Sequence, residues 1–196
     1  MIPAKEASAP TDGQVPDPCA VSIGEFVVEE KSEGAGTDQT KKVAIVVFSG
    51  DMDKVWGAFN MATAASSEGD EVTMFFTFWG LQALRKTNKP AKGDGWMSKM
   101  FLWMFPPGPA KLGVSKMNMG GMGKWMMEEM MKRKRVLPIA KLMEHAEALG
   151  VNMYACNTSM AVLGLTKDDL IDNIEIRGVS DFLEAGRGSC MTLFVS

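Results

Sequence analysis

The sequence predicts an α/β fold: a three-layer, mostly parallel, flavodoxin-like sheet of about five strands, with a Met-rich helical insertion after the second strand. Three observations predict it. Short unbroken apolar runs rich in branched side chains, such as Val43–Phe48 and Val151–Ala155, are what strands covered on both faces look like. Between such runs lie segments whose apolar residues recur at helical spacing. Alternation of the two kinds of segment makes βαβ units with right-handed crossovers, hence a parallel sheet with helices on both faces. A strand order of 2-1-3-4-5 is the expectation for a flavodoxin-like sheet.

The elements follow in order. Residues 1–40 are read as a flexible acidic arm and linker, poor in large apolar side chains at 1–18 and rich in Gly, Ser and Thr at 32–40. The α/β domain is expected over 41–196. Val43–Phe48 is strand 1, ended by Ser49-Gly50, and Asp51 or Asp53 is placed to cap the helix that follows. Glu68-Gly69-Asp70 ends that helix, and Val72–Trp79 reads as strand 2, stopping at Gly80. Residues 85–135 form the insertion, with a helix at Lys124–Lys134 whose Glu128-Glu129 pair reads as its wet face. Pro138 opens the next helix and Gly150 closes it. Val151–Ala155 is strand 3 with Cys156 at its end, Ser159–Gly164 a short helix, Asn173–Arg177 strand 4, Ser180–Ala185 a helix and Cys190–Val195 the last strand.

Composition excludes several function classes. Three Cys in 196 residues are too few for a disulfide-stapled scaffold. His145 is the only histidine, so chemistry needing two imidazoles is out, and no zinc-finger spacing exists. No run of 18 apolar residues provides a membrane span, and the N-terminus has no apolar signal core; a cytoplasmic, reducing setting is expected. Charge is divided along the chain: residues 1–40 carry eight acids and two lysines, whereas 85–135 carry 12 Lys/Arg and three acids. The outstanding count is 18 Met, ten of them between Met97 and Met131. Soft, unbranched Met makes adaptable apolar surface, which points first to a subunit interface and then to a partner or peripheral membrane contact. Nucleic-acid binding is not expected, because the bases form no recognisable module. Gly120, Gly121 and Gly123 follow no strand, so neither nucleotide fingerprint is met and no cofactor or metal is expected.

In an open parallel sheet, ligands gather beyond the carboxyl ends of the strands. That rule collects Ser49, Gly50, Trp79, Gly80, Asn157, Thr158, Ser159 and Gly178 around Cys156. A strand-end cysteine before a helix faces N–H groups that favour its thiolate, and Asn157, Thr158 and Ser159 add polar donors. From position alone, a reactive thiol and a buried cysteine packing as a small apolar residue both fit Cys156. Cys190, at the start of the last strand, is expected too far from Cys156 for a disulfide and reads as structural. Cys19 lies on the arm and reads as an incidental thiol. His145 reads as a solvated helix residue.

Several stretches together resemble the DsrE/DsrF-like sulfur-relay family. They are Lys42-Val-Ala-Ile-Val-Val-Phe-Ser-Gly-Asp-Met-Asp-Lys54, Thr73-Met-Phe-Phe-Thr-Phe-Trp-Gly-Leu81, Gly120-Gly-Met-Gly123, Ala155-Cys-Asn-Thr-Ser-Met160 and Leu163-Gly164. The resemblance is to the longer, Met-rich branch and covers about residues 41–196. It implies a cytoplasmic sulfurtransferase or sulfur carrier that forms homo-oligomers and holds sulfane sulfur as a persulfide on Cys156. The partners it implies are sulfur donor and acceptor proteins such as TusA-like carriers and rhodaneses. Members are sometimes labelled peroxiredoxin-like, but this chain lacks the Thr-x-x-Cys arrangement of a peroxiredoxin site. Two other readings stand beside sulfur transfer: a noncatalytic adaptor using the Met-rich basic surface, and a thiol peroxidase.

Overall fold

The computed structural model describes residues 40–86, 96, 100, 108–116 and 119–196. The expected arm with Cys19, and most of the Met97–Met119 part of the insertion, lie outside the described residues. The strands are β1 (Lys42–Val47), β2 (Glu71–Phe76), β3 (Asn152–Cys156), β4 (Glu175–Arg177) and β5 (Met191–Val195). All neighbours pair in parallel. The α/β class and the parallel five-stranded sheet are as the sequence predicts. The order differs: it is β4-β3-β2-β1-β5, not 2-1-3-4-5. Strand order is set by which crossovers pack over which neighbours, a nonlocal property that runs of side chains do not encode.

Alternation along the strands divides the side chains between two faces. Ile45, Val47, Val72, Met74, Phe76, Met153 and Ala155 point to the thicker layer, where helices α1 (Met52–Ser67) and α3 (Ile139–Ala148) cover them. Val55, Phe59 and Ala62 from α1 meet Leu142, Met143 and Ala146 from α3 in the same cluster. Each fully buried Val, Ile or Phe here contributes roughly 1.5–3 kcal/mol of transfer free energy. The indole N–H of Trp56 donates to Leu137 C=O at 3.0 Å, and Ser66 Oγ donates to Leu149 C=O at 2.9 Å, pinning α1 to both ends of α3.

The opposite face is thinner. Ala44, Phe75 and Cys156 pack there with Phe182 of helix α5 (Val179–Gly186), and the Phe75 and Phe182 rings stack at 4.8 Å. Beyond α5 an aromatic row is left at the surface: Phe48 lies 5.4 Å from Phe78 and 6.0 Å from Phe194, and the last two are exposed.

Two local expectations are corrected. Strand 2 ends at Phe76, and Phe78–Leu84 is a 3₁₀ segment, because Phe78 turns into the left-handed region at φ 45°. Helix α2 (Met122–Arg133) turns Met122, Trp125, Met126 and Met130 outward, while Glu128 and Glu129 are half-buried. Its outer face is therefore apolar rather than acidic, and Met127 and Met131 pack on the core. Among the described residues no helix is long and apolar enough to cross a membrane.

Candidate functional site

Helix α4 (Asn157–Leu163) begins directly at the end of β3, so Cys156 is at once the last strand residue and the N-cap. Its extended backbone, φ −68° and ψ 114°, aims Sγ where a capping oxygen would stand. The N–H groups an N-cap side chain meets are those two and three residues on, here Thr158 and Ser159. The helix has no side-chain capping bond, which leaves those amides for a charge on the sulfur.

Cys156 is a free thiol and only 2% exposed. Burial by itself pushes its pKa up, since an ion loses solvation. The Ser159 hydroxyl and N–H, the Thr77 hydroxyl and the Thr158 N–H, as donors to the charged form, outweigh the effect of burial and hold the thiol below its ordinary value. Ser159 is itself 2% exposed, and its Oγ lies 2.7 Å from Thr77 Oγ1. The surroundings are thus apolar on one side, from Phe75, Phe182 and Ala44, and polar on the other.

Thr77 is the residue that sequence reasoning missed. It sits one step past the Phe76–Ala155 pair, level with Cys156 on the neighbouring strand and on the same face. Phe78 and Trp79 continue the apolar run after it, which hid the end of β2 inside what reads as strand. Counting Thr77 as a strand-end residue would have found it.

On the other flank, Arg177 of β4 pairs in register with Cys156. Its guanidinium is drawn back along the sheet, bonding the Glu175 carboxylate at 2.9 and 2.7 Å and lying 5.6 Å from the Tyr154 ring centre.

The remaining sequence-predicted residues fall into two groups. Asn157 and Thr158 are exposed in the first turn of α4 beside Ser159; the Thr158 hydroxyl donates to Asn157 Oδ1 at 3.1 Å. Ser49, Gly50, Trp79 and Gly80 cluster at the ends of β1 and β2. The Ser49 hydroxyl donates to Asp51 Oδ2 at 2.9 Å and accepts the Asp51 N–H at 3.1 Å, building a turn. The two glycines permit close backbone approach: a Cβ on Gly80 would stand 2.2 Å from Val47 O, and one on Gly50 2.7 Å from Trp79 O. The Gly80 N–H donates to Thr77 C=O at 3.0 Å and Phe48 C=O at 2.9 Å, so this group fixes the backbone that carries Thr77.

The other sequence candidates stand apart. The Cys190 N–H donates to Lys42 C=O at the amino end of the sheet, whereas Cys156 ends β3 with β2 and β1 between. His145 is exposed on α3, on the far face from Sγ. Among the described residues no group of three or more His, Cys, Asp or Glu could hold a metal.

Known proteins resemble this chain to different depths. The crystal structure of the YchN protein from E. coli superposes with a TM-score of 0.50 at 15% identity, covering 79% of this chain and 99% of that one, a likeness of fold. YrkE of Bacillus subtilis strain 168, an uncharacterized protein, is 42% identical over 159 residues, 81% of this chain and 99% of the relative. A protein named sulfur carrier protein DsrE2, from Allochromatium vinosum, is 32% identical over 161 residues, 80% of this chain and 99% of its own. A family model described as DsrE/DsrF/DrsH-like matches residues 39–194, and with nearly the whole α/β unit covered, the chain belongs to the DsrE/DsrF/DrsH-like family.

Proposed function

We propose that this protein is a sulfurtransferase or sulfur carrier that holds sulfane sulfur as a persulfide on Cys156 and passes it to an acceptor protein thiol. The observation that carries this reading is the set of donors gathered on one buried, free thiol, lowering its pKa against the pull of burial. A thiolate is the nucleophilic form of cysteine, and an ion kept in an apolar site needs such donors. The relative named as a sulfur carrier supports the same reading.

In the loading step the Cys156 thiolate attacks the outer sulfur of a donor persulfide, R–S–S⁻. The new bond joins Sγ to that sulfur, the donor S–S bond breaks, and R–S⁻ leaves. In the unloading step an acceptor thiolate attacks the outer sulfur and Cys156 departs as thiolate. Both steps are thiol–disulfide exchange in form, with no net oxidation and no metal. Asn157, Thr158 and Ser159 on one side, and Ser49, Gly50, Trp79 and Gly80 on the other, are the proposed walls of the pocket. Cytoplasmic donor and acceptor proteins, of the TusA-like and rhodanese kinds, and assembly into a homo-oligomer complete the reading.

Incubation with polysulfide should add about 32 Da, one sulfur, to the peptide containing Cys156, and the Cys156→Ser chain should gain nothing there. No gain at Cys156, or equal gain in the Cys156→Ser chain, sinks the reading. Sulfenic acid at Cys156 with peroxide turnover would instead favour a thiol peroxidase.

A second reading, a noncatalytic adaptor, is favoured by one observation: the outward Met122, Trp125, Met126 and Met130 on α2, followed by exposed Lys132, Arg133, Lys134 and Arg135. It predicts partner or vesicle binding that survives Cys156→Ser and is lost when these apolar residues become polar.

A further inference from the structure

Forming a persulfide moves the negative charge. On the thiolate it sits at Sγ; on Cys156–S–S⁻ it sits mainly one bond further out, about 2.05 Å away. A set of donors that suits the first ion need not suit the second. The Thr158 and Ser159 amides are fixed by the first turn of α4, and the Ser159 hydroxyl is held on the same turn, 2% exposed. These serve the inner sulfur.

Thr77 differs in three respects. It comes from β2 and stands level with Cys156 across the strand boundary. It is half-buried, more open to solvent than Cys156 and Ser159, which are both buried. Its hydroxyl, 2.7 Å from Ser159 Oγ, is already in contact with the inner donor set. The backbone around it is constrained: its N–H donates to Val47 C=O at 3.1 Å, its C=O accepts the Gly80 N–H, and Phe78 follows at φ 45°. A left-handed conformation costs a residue with a Cβ roughly 1–2 kcal/mol. Strain of this kind persists where the surroundings over-determine it, and it gathers at functional sites. Here it ends β2 immediately after the hydroxyl.

We propose that Thr77 is a catalytic residue, the donor that receives the outer sulfur of the Cys156 persulfide while Ser159 keeps the inner one. This rests on the persulfide reading and adds a division of labour to it. During loading, the Thr77 hydroxyl proton turns from the Cys156 sulfur to the incoming sulfur as charge arrives there. During unloading it turns back, and no proton is gained or lost overall.

The test compares full-length protein with Thr77→Val, Thr77→Ser and Ser159→Ala. Each is equilibrated with one fixed ratio of glutathione persulfide to glutathione. Two quantities are read: the fraction of Cys156 carrying an extra sulfur, and the pH midpoint of Cys156 alkylation. Thr77→Val should lower the loaded-to-unloaded ratio about tenfold to a hundredfold, the effect of losing one hydrogen bond to a charged group. Its alkylation midpoint should move less than that of Ser159→Ala, and Thr77→Ser should restore loading. A Thr77→Val chain that loads like the original, or whose loss matches its midpoint shift and is not rescued by Ser, overturns the role of Thr77 and leaves the persulfide reading standing. No mass gain in the unmodified chain removes both.

Discussion

Thr77 Oγ1 lies 2.7 Å from Ser159 Oγ, joining the end of β2 to the first turn of α4 beside the Cys156 sulfur. Two residues 82 positions apart in the chain thus share one polar wall of a site whose other wall is Phe75 and Phe182. The consequence for reactivity is direct: removing a donor shifts the balance toward burial and the neutral thiol.

Ser159→Ala should therefore raise the Cys156 pKa, because burial already opposes the thiolate and the Ser159 hydroxyl is the strongest of the donors that counter it. A hydrogen bond to an ion is worth roughly 1.5–3 kcal/mol, so the alkylation midpoint should rise by at least about one pH unit. Arg177→Gln is the control. Its guanidinium is occupied by Glu175 and Tyr154, so the midpoint should stay in place. Iodoacetamide labelling of Cys156 against pH measures both.

The same thiol should couple stability to pH. Its folded pKa lies below its unfolded value, so its contribution is fully present above the unfolded thiol pKa, about 8.5. That contribution is lost as pH falls through the folded value. The stability difference between the original chain and Cys156→Ala should thus grow with pH across this window and then level off. Urea unfolding at several pH values reads it; a difference that is flat or falls with pH contradicts the depressed pKa.

Gly80→Ala should destabilise by about 2–3 kcal/mol, since the new methyl would meet the Val47 carbonyl at 2.2 Å and one strand end must shift. It should also slow Cys156 alkylation at neutral pH, because the Gly80 N–H holds the Thr77 carbonyl. Gly57→Ala offers the opposite case. Gly57 is inside α1 and nothing lies within 4 Å of its missing Cβ, so alanine should stabilise by roughly 0.5–1 kcal/mol. Melting curves of the two variants should move in opposite directions.

Asp53 links α1 to the segment at 108–116: its carboxylate accepts the Ser115 N–H at 2.9 Å and the Ser115 hydroxyl at 2.6 Å. Partial burial pushes its pKa up, but the Ser115 bonds prevail and hold it below the ordinary carboxylate value. Its stabilisation is therefore present above about pH 4 and lost as pH falls through the lower folded value. Asp53→Asn should cost about 1–2 kcal/mol at neutral pH, and the cost should shrink in acid. Chemical denaturation at about pH 7 and at successively lower pH checks both parts.

The sequence by itself determined the α/β class, the parallel sheet and the strand-end position of Cys156. Val43–Val47 and Val72–Phe76 are buried nearly throughout, and such runs announce themselves without knowledge of their neighbours. Ser159 was legible too, since an N-cap and the residue three places on meet through local geometry alone. Only the tertiary structure decided the order β4-β3-β2-β1-β5, and with it who flanks the sulfur. Thr77 and Arg177 stand beside Cys156 through strand pairing across long intervals of chain, and pairing depends on how helices pack over the sheet. The outward Met and Trp face of α2 belongs to the same class: periodicity predicts an apolar stripe, but which way it turns is settled by what the rest of the fold leaves uncovered.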